Sequence, residues 1–317
     1  MEKKSPVLYI VVPCYNEEAV IEDTSKKIKE KVESLIADKK VANNSRILFV
    51  DDGSKDKTYQ MINDLHKQDE IFSGVKLAHN RGHQNALIAG LSVANKYADI
   101  TITIDADLQD DVNAIDGMIN EYINGAEIVY GVRSARKKDT IFKRMTAHAF
   151  YKLMMKLGVE IIFDHADFRL MSKAALDAFF EYQESNLFIR GIVPQIGFKT
   201  AKVPYERAKR QAGESKYSLK KMITFALDGI TSCSSKPLTS IFWFGFWLQL
   251  LSLTAFVTTT VLMFMIDLHF MWVLLSAMCW LTSLVLLALG IIGFYLGKTY
   301  IETKRRPRFI IEEVLNK

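Results

Sequence analysis

Two long stretches near the C-terminus contain no acidic, basic or histidine side chain: residues 237–266 and 270–297. Each is longer than the about 20 apolar residues that an α-helix needs to cross the hydrocarbon core of a bilayer. The chain of 317 residues is 49% hydrophobic overall, an average that does not show where the apolar residues lie. The pattern predicts two transmembrane helices after a large soluble region. Two long helices buried in a soluble bundle are the alternative.

The distribution of basic residues predicts how these helices are oriented. The turn at 267–269 holds no Lys or Arg, whereas residues 199–221 contain eight basic and two acidic residues. Residues 298–317 are basic as well. Because Lys and Arg favour the cytoplasmic side, we expect a multi-pass protein of the cell membrane with its soluble region and both termini in the cytoplasm.

Apolar, β-branched runs alternate with helical patterns through the soluble region. This alternation predicts βαβ units, and hence an α/β fold with a doubly wound, mostly parallel sheet that binds ligands at the carboxyl ends of its strands. The predicted strands are 8–12, 46–50, 74–78, 100–104 and 128–132, and the predicted helices are 17–37, 55–67, 84–96 and 112–124.

Acidic residues follow three of these strands, where a parallel sheet binds its ligands. Asp105 and Asp107 are two apart in an extended segment, so both carboxylates face the same side. Oxygen ligands without His or Cys suit Mg²⁺ or Mn²⁺ held jointly with substrate phosphates. A solvated acidic turn or a helix cap is the alternative, but the acidic residues after the neighbouring strands favour a metal.

The other polar residues at this edge are less specific. Asp52 and Glu17 can accept hydrogen bonds from ribose or a base edge, and Tyr15 can cover a base, but each also suits a turn or a helix cap. His79 and His83 have no metal-binding pattern, and we expect them to play a structural or supporting role.

Several functional classes are disfavoured. The chain has no G-x-G-x-x-G fingerprint and no G-x-x-x-x-G-K-[ST] loop, which disfavours a dinucleotide-binding enzyme and a P-loop NTPase. The three cysteines are widely separated and form no C-x-x-C pair. This argues against a disulfide framework or a zinc site and fits a reducing cytoplasm.

The motifs VVPCYNEE, DDGSKDKT, HNRGHQNALIAGL and DADLQD, in this order, resemble those of family-2 glycosyltransferases of the GT-A fold. The motif HADFRLM and the segment RQAGESKY ahead of the two predicted spans narrow the resemblance. They are similar to the polyprenyl-phosphate glycosyltransferases, the group that includes bactoprenol glucosyltransferase and dolichyl-phosphate mannose synthase. The resemblance covers essentially the entire chain.

The resemblance implies a GT-A type sheet followed by an interfacial helix and two transmembrane helices. Residues 217–236 carry apolar side chains at helical spacing, which fits an interfacial helix and equally fits ordinary core packing. The expected parts are a cytoplasmic GT-A domain at 1–216, an interfacial juxtamembrane helix at 217–236, a two-helix transmembrane region at 237–297 and a basic cytoplasmic tail at 298–317.

The resemblance also implies roles for individual residues. The metal ligands are Asp105 and Asp107, of which Asp107 is also counted as catalytic, and Asp167 is the candidate base or orienting group. The donor-binding residues are Pro13, Tyr15, Glu17, Asp52, Asp105, Ala106, Gln109 and Arg133. The basic residues that suit the acceptor phosphate are Arg207, Arg210 and Lys216, with Lys209 nearby.

The implied reaction is an inverting transfer of a sugar from a nucleotide-sugar to a polyprenyl phosphate. UDP-glucose and undecaprenyl phosphate are favoured by analogy, and a mannosyl or GlcNAc transferase is the alternative. A processive polysaccharide synthase is disfavoured because no Q-x-x-R-W motif occurs, and a non-catalytic membrane scaffold is disfavoured by the acidic and basic motifs. The expected partners are the two substrates and a lipid membrane, with a second copy of the chain and a flippase as further candidates, and no nucleic acid.

Overall fold

The structure, a computed structural model, describes residues 5–107, 109–133, 165–184, 188–206, 247 and 270–316. Strands and helices alternate through the first 133 residues, as the hydrophobic pattern predicts. The strands are β1 Leu8–Cys14, β2 Arg46–Asp51, β3 Phe72–Leu77, β4 Ile100–Thr103, β5 Ile128–Arg133, β6 His165–Ser172, β7 Thr200–Tyr205 and β8 Ile311–Leu315. The α-helices are α1 Ile21–Ala37, α2 Thr58–Gln68, α3 His83–Ala94, α4 Ala114–Ile123, α5 Lys173–Phe180, α6 Ile189–Ile192 and α7 Phe270–Thr303.

These strands form one sheet in the order β7-β5-β6-β4-β1-β2-β3-β8. The pairs β1–β2, β1–β4, β2–β3 and β5–β7 are parallel. Strand β6 runs antiparallel to both β4 and β5, and β8 runs antiparallel to β3. The predicted α/β fold with a mostly parallel sheet of GT-A type is confirmed.

Helices cover both faces of the sheet, which makes it doubly wound. One core is built from strand residues and from α1, α2 and α4, and contains Ile28, Val32 and Ile115. The other core contains Leu87 of α3 and Leu176 of α5. Because apolar side chains line both faces, the central strands are buried along their whole length, as expected for strands of a parallel sheet.

Helix α3 lies directly on the sheet because a glycine faces it. A Cβ atom at Gly90 would lie 2.5 Å from Val11 Cγ1 and 2.6 Å from Val50 Cγ2. Any side chain there would push α3 away from β1 and β2. The close approach fixes the position of the first turn of α3, which reaches the carboxyl edge of the sheet.

Helix α7 begins at the residue where the second charge-free stretch begins, and it continues to Thr303. Before residue 285, most of its side chains lie outside the described set. Among the residues that are described, no helix satisfies both the length and the apolarity needed to cross a membrane. The predicted first span at 237–266 and the predicted interfacial helix at 217–236 lie outside the described residues, apart from residue 247.

The C-terminal segment, which the sequence predicts to be a basic cytoplasmic tail, also contributes a strand to the sheet. After α7, strand β8 pairs with β3, with Val314 opposite Val75, and so extends the sheet that the N-terminal strands form. Side chains reinforce the pairing, since the Tyr59 hydroxyl donates to Glu313 at 2.6 Å and Lys76 contacts Glu312 at 2.8 Å. The prediction missed this strand because its sequence, IEEVL, has only five residues, two of them glutamates.

We expect Leu315→Ala to lower the free energy of unfolding by about 1–2 kcal/mol, since a half-buried leucine loses less than a fully buried one. Leu315 packs against the core and lies over Gly74, where a Cβ would be 3.0 Å from Leu315 Cδ1. The neighbouring Val314 is 43% exposed, so Val314→Ala is the control and should change stability by less than about 0.5 kcal/mol. Thermal unfolding of the purified chain, followed by circular dichroism, measures both; equal effects would contradict the packing of β8.

Candidate active site

The polar residues singled out in the sequence meet at one edge of the sheet. Residues 15–18 follow β1, Asp52 follows β2, and Asp105 to Asp107 follow β4, all at the carboxyl ends of parallel strands. Strand β6 arrives in the opposite direction, so Asp167, near its start, lies at this same edge. The sheet therefore gathers residues from distant parts of the sequence into one site.

The loop after β1 is held by the loop after β2. Asn16 adopts φ +52°, accepts a hydrogen bond from the Lys55 amide at 2.9 Å, and donates its own amide to Ser54 Oγ at 3.0 Å. The amide of Glu17 donates to Thr58 Oγ1 at 2.9 Å. These bonds fix the backbone that directly follows the half-buried Tyr15.

Asp52 anchors the loop that leads into α3. Its two carboxylate oxygens accept the backbone amides of Arg81 at 2.7 Å and Gly82 at 2.8 Å. Burial raises the pKa of Asp52, and these hydrogen bonds oppose the rise. The predicted contact of Asp52 with the nucleoside stays a prediction, and it would use a second lone pair on an oxygen that is already bonded.

The turn after Asp52 needs glycine. Gly53 has φ +65°, and a Cβ there would lie 2.7 Å from the backbone of both His79 and Asn80. A side chain at this position would strain the turn and push the two loops apart. Gly53 thus explains why the DDGS motif and the HNRGH motif act as one structural unit.

Asp105 and Asp107, the predicted metal ligands, lie in a loop that α1 supports. Thr24 of α1 donates to the carbonyl of Ala106 at 2.7 Å, and the Gln109 amide donates to Asp107 Oδ1 at 3.2 Å. Ala106 and Gln109 are buried, so both support the loop from behind. Among the described residues, no group of three or more His, Cys, Asp or Glu side chains could hold a metal ion.

The carboxylates in and beside this loop repel one another, and a bound cation would compensate their charge. Burial raises the pKa of Asp105; His83 opposes the rise, and the neighbouring charges of Asp167 and Asp107 add to it. Carboxylates that repel one another are stabilised by a divalent ion. Two carboxylates with oxygen donors only are the type of ligand set that Mg²⁺ and Mn²⁺ share with substrate phosphates.

Asp167 is the centre of an ion-pair cluster. Arg169 Nη2 lies 2.6 Å from Asp167 Oδ1, while Arg190 places Nε 3.1 Å from Oδ1 and Nη2 2.8 Å from Oδ2. The Thr103 hydroxyl donates to the Asp167 carbonyl. Burial would raise the pKa of Asp167, but Arg190, His83 and Arg169 outweigh it and hold that pKa well below its usual range.

His83 links this cluster to the loop that carries Asp105 and Asp107, the predicted metal ligands; we call it the metal loop. Its Nε2 lies 3.5 Å from Asp105 Oδ1 and 3.7 Å from Asp167 Oδ2. Burial lowers the pKa of His83, but the contact with Asp167 and the charge of Asp105 outweigh it and raise the pKa to about 9. The structural or supporting role expected for His83 stays a prediction; the structure places its imidazole, 40% exposed, between two carboxylates.

Arg133 is held at the far side of the site by a buried acid. The Tyr205 hydroxyl donates to Asp110 Oδ1 at 2.5 Å, and Arg133 Nε donates to the Tyr205 hydroxyl at 3.3 Å. Arg133 Nη2 also lies 3.7 Å from Asp110 Oδ1. This network ties the ends of β5 and β7 to the loop after β4.

The sequence analysis missed several of these residues. Arg169 could have been noticed, because it is two residues after Asp167 in a strand and so faces the same side. Arg190 and Tyr205 are distant from their partners in sequence and carry no local motif, whereas Asp110 ends the DADLQD motif, which does not indicate its pairing with Tyr205. The residues predicted to bind the acceptor phosphate, Arg207, Arg210 and Lys216, lie outside the described residues, as does Lys209.

Comparisons with known proteins identify the family of the chain. The family model for glycosyl transferase family 2 matches residues 9–180. The chain is 49% identical to an uncharacterized glycosyltransferase of Bacillus subtilis (strain 168), over 98% of this chain and 93% of that protein. It is 36% identical to a prophage bactoprenol glucosyl transferase homolog of Escherichia coli (strain K12), over 96% of this chain and 98% of that protein.

Solved structures match less closely. The structure of glucosyl-3-phosphoglycerate synthase from Mycobacterium tuberculosis with Mn²⁺, UDP-glucose and phosphoglyceric acid gives a TM-score of 0.46 at 16% identity, over 73% of this chain and 79% of that chain. The family match covers more than half of the chain, and the similarity to the bacterial relatives runs along nearly all of it. The chain therefore belongs to glycosyl transferase family 2, whose members are enzymes that transfer a sugar.

Proposed function

We propose that this glycosyltransferase transfers glucose from UDP-glucose to a polyprenyl phosphate, undecaprenyl phosphate, and thereby supplies a lipid-linked sugar for cell-envelope glycosylation. The observation that carries the proposal is that one sheet edge holds the acidic residues Asp105 and Asp107 together with two cations: His83 lies 3.5 Å from Asp105, and Arg190 is bonded to the neighbouring Asp167. Such an edge suits two substrates that both bring phosphate. Relatives named bactoprenol glucosyl transferase support this choice of acceptor and sugar.

The nucleotide-sugar is assigned to the half of the edge formed by β1, β2 and β4. Pro13 is buried and Tyr15 and Glu17 are half-buried beside the loop after β2, where a base and ribose would lie against them. The diphosphate then reaches the loop after β4. Gln109 supports that loop, and Arg133, 25% exposed, is the cation assigned to the pyrophosphate.

Asp105 and Asp107 would hold the divalent cation, Mg²⁺ or Mn²⁺, together with oxygens of the donor diphosphate. When bound, such an ion stabilises the negative charge that develops on the leaving group. The protein's own contribution is positional, because Thr24 and Gln109 fix the loop before the donor arrives. A site organised in advance loses less free energy when the substrate binds.

The reaction is a single displacement. An oxygen of the acceptor phosphate attacks the anomeric carbon, the bond from that carbon to the nucleoside diphosphate breaks, and the electron pair leaves with the diphosphate. Attack from the opposite side converts an α-linked donor into a β-linked product. A phosphate monoester has a second pKa of about 6, so the nucleophile is already largely ionised at neutral pH and needs no strong base.

A membrane location follows from the chemistry of the acceptor. Helix α7 has 34 residues, which at about 1.5 Å per residue is about 50 Å and exceeds the about 30 Å of a bilayer core. Its described apolar side chains include an exposed series at helical spacing: Met271, Leu274, Met278, Val285, Leu289, Ile292 and Leu296. The two charge-free stretches of the sequence support the assignment of residues 237–297 to two transmembrane helices, and the basic charge of the preceding segment supports the assignment of Arg207, Arg210 and Lys216 to the lipid phosphate.

The purified chain, incubated with undecaprenyl phosphate and Mn²⁺ or Mg²⁺, is expected to form a glycolipid from UDP-glucose. UDP-GlcNAc and GDP-mannose in parallel reactions test the alternative donors, and thin-layer chromatography of radiolabelled lipid detects the product. Treatment with EDTA should abolish product formation and added Mn²⁺ should restore it. Product from another donor would correct the sugar, and no glycolipid from any donor would refute the acceptor class.

Asp107→Asn should lower kcat/KM at least a hundredfold, because removal of one anionic ligand weakens the charge stabilisation of the leaving diphosphate, an effect worth several kcal/mol. Asp64→Asn is the matched control, since Asp64 is exposed on α2 and only pairs loosely with Lys67 at 3.9 Å. Initial rates with varied Mn²⁺ measure the loss, which higher metal concentrations should partly reverse. Full activity of Asp107→Asn would remove this residue from the site.

Two cysteine variants test the assigned topology in intact cells. In a chain whose native cysteines are replaced by serine, Leu268→Cys should react with a membrane-impermeant maleimide, because residue 268 lies in the turn assigned to the outside. Lys304→Cys should react only after the membrane is permeabilised. Labelling of both sites in intact cells, or of neither, would contradict the topology.

A further inference from the structure

Arg190 is a partly exposed cation at the active edge. It lies on the short helix α6 and its side chain is 29% exposed, whereas the two side chains it is grouped with, Asp167 and Arg169, are 12% and 2% exposed. Arg190 is thus the arginine of this cluster that a substrate can reach, and the His83 imidazole, 40% exposed, is accessible beside it. Helix α6 is fixed beside α3, because the Ile189 amide donates to Gln84 Oε1 at 3.1 Å.

The carboxylate of Asp167 is fully engaged by cations. Oδ1 accepts from Arg169 Nη2 and Arg190 Nε, and Oδ2 accepts from Arg190 Nη2 with His83 Nε2 at 3.7 Å. The two bonds from Arg190 form the bidentate arrangement that gives arginine–carboxylate pairs their fixed geometry. A carboxylate held in this way orients a guanidinium and is poorly placed to take a proton from a substrate.

Arg169 also holds the Asp167 carboxylate in place, from the buried side of the cluster. It is among the largest fully buried side chains, and its Nη1 has no hydrogen-bond partner among the described residues. A buried guanidinium with one strong bond, to Asp167, depends on that bond for its stabilisation. Asp167 therefore stays ionised between a buried arginine on one side and a partly exposed arginine on the other.

The cluster lies beside β4, on the opposite side of that strand from the residues assigned to the nucleoside. In the sheet order, β6 is beside β4 on the side away from β1 and β2, which carry the nucleoside residues. Asp105 of the metal loop lies between the two halves, 3.5 Å from His83. A phosphate that approaches the donor sugar from the side away from the nucleoside therefore meets Arg190.

We propose that Arg190 binds the phosphate monoester of the lipid acceptor, and that Asp167 is the positioning residue that aims this guanidinium rather than the base of the reaction. The assignment rests on the proposed acceptor and adds the residue that recognises it. Arg190 has five N–H donors, and its fork matches a phosphate as well as a carboxylate. A dianionic phosphate is thus bound by an arginine whose direction is already set.

Binding of geranyl phosphate, a soluble prenyl phosphate, tests the contact without turnover. We expect Arg190→Gln to weaken the Kd about tenfold to a hundredfold, as for the loss of a hydrogen bond to a charged group, and Arg190→Lys to weaken it less. Arg46→Gln is the matched control, because Arg46 is the first residue of β2 and so lies at the end of that strand away from the active edge. This variant should bind geranyl phosphate as the wild type does. Calorimetry gives the Kd, and unchanged UDP binding with Mn²⁺ shows that the site is folded.

Kinetics separate a positioning carboxylate from a base. Arg190→Gln should raise the KM for the acceptor and leave the KM for the nucleotide-sugar unchanged; a rise for the nucleotide-sugar alone would assign Arg190 to the pyrophosphate and overturn the proposal. Asp167→Asn should also raise the acceptor KM, and the double variant should be no worse than the more impaired single variant. A base would instead give a loss of kcat in Asp167→Asn that multiplies with the effect of Arg190→Gln.

The binding measurement tests the Arg190 contact and the turnover measurement tests the proposed reaction, so either hypothesis can be refuted while the other stands. If the wild type binds geranyl phosphate through Arg190 but makes no glycolipid, the proposed reaction is wrong and the phosphate contact stands. If Arg190→Gln binds geranyl phosphate as tightly as the wild type, the contact is wrong even when the glycolipid forms. Because Asp167→Asn leaves Arg169 buried without its partner and can unfold the chain, the Arg190 variants alone suffice to decide the contact.

Discussion

The antiparallel insertion of β6 between β4 and β5 determines what can meet at the active edge. In a purely parallel sheet, the residue next to β4 at this edge would be the end of a strand; here it is the beginning of one. Thr103, the last residue of β4, pairs with Arg169, so Asp167 lies just beyond it, beside the loop that carries Asp105. One reversed strand thus places an arginine-bound carboxylate next to the metal loop.

The electrostatic consequence is a site with two distinct halves. The metal loop brings carboxylates that repel each other and so favour a cation, whereas the region around Asp167 has more cationic than anionic groups. Removal of one member of a buried ion pair typically costs about 3–5 kcal/mol, so the Asp167–Arg169 pair is difficult to change without structural loss. Arg190 also pairs with Asp167, but its side chain is 29% exposed, so this residue both holds the carboxylate and can meet a ligand.

Those features of the fold and the site that local sequence patterns encode could be predicted. Apolar runs located β1 to β5 within a few residues, and the acidic residues after the strands located the active edge, because a parallel sheet brings its carboxyl ends together. Arg190 could not be predicted, since its contact with Asp167 depends on where a four-residue helix lies. Strand β8 was missed for a related reason: its partner β3 is more than 200 residues away, and nothing in IEEVL identifies it.

Because of strand β8, the chain returns to the sheet after the charge-free stretches and does not end as a free tail. The chain leaves the sheet after β7, at one edge, and returns as β8 at the opposite edge. Both ends of the intervening segment are therefore tied to the same sheet, and Arg308 adds a hydrogen bond to the Tyr182 carbonyl at 2.9 Å just before β8. A single tether would let a domain rotate freely, whereas two tethers at opposite edges restrict its orientation. For the proposed lipid acceptor, whose phosphate would stay at a membrane surface, this restriction would keep the active edge at a constant height above that surface.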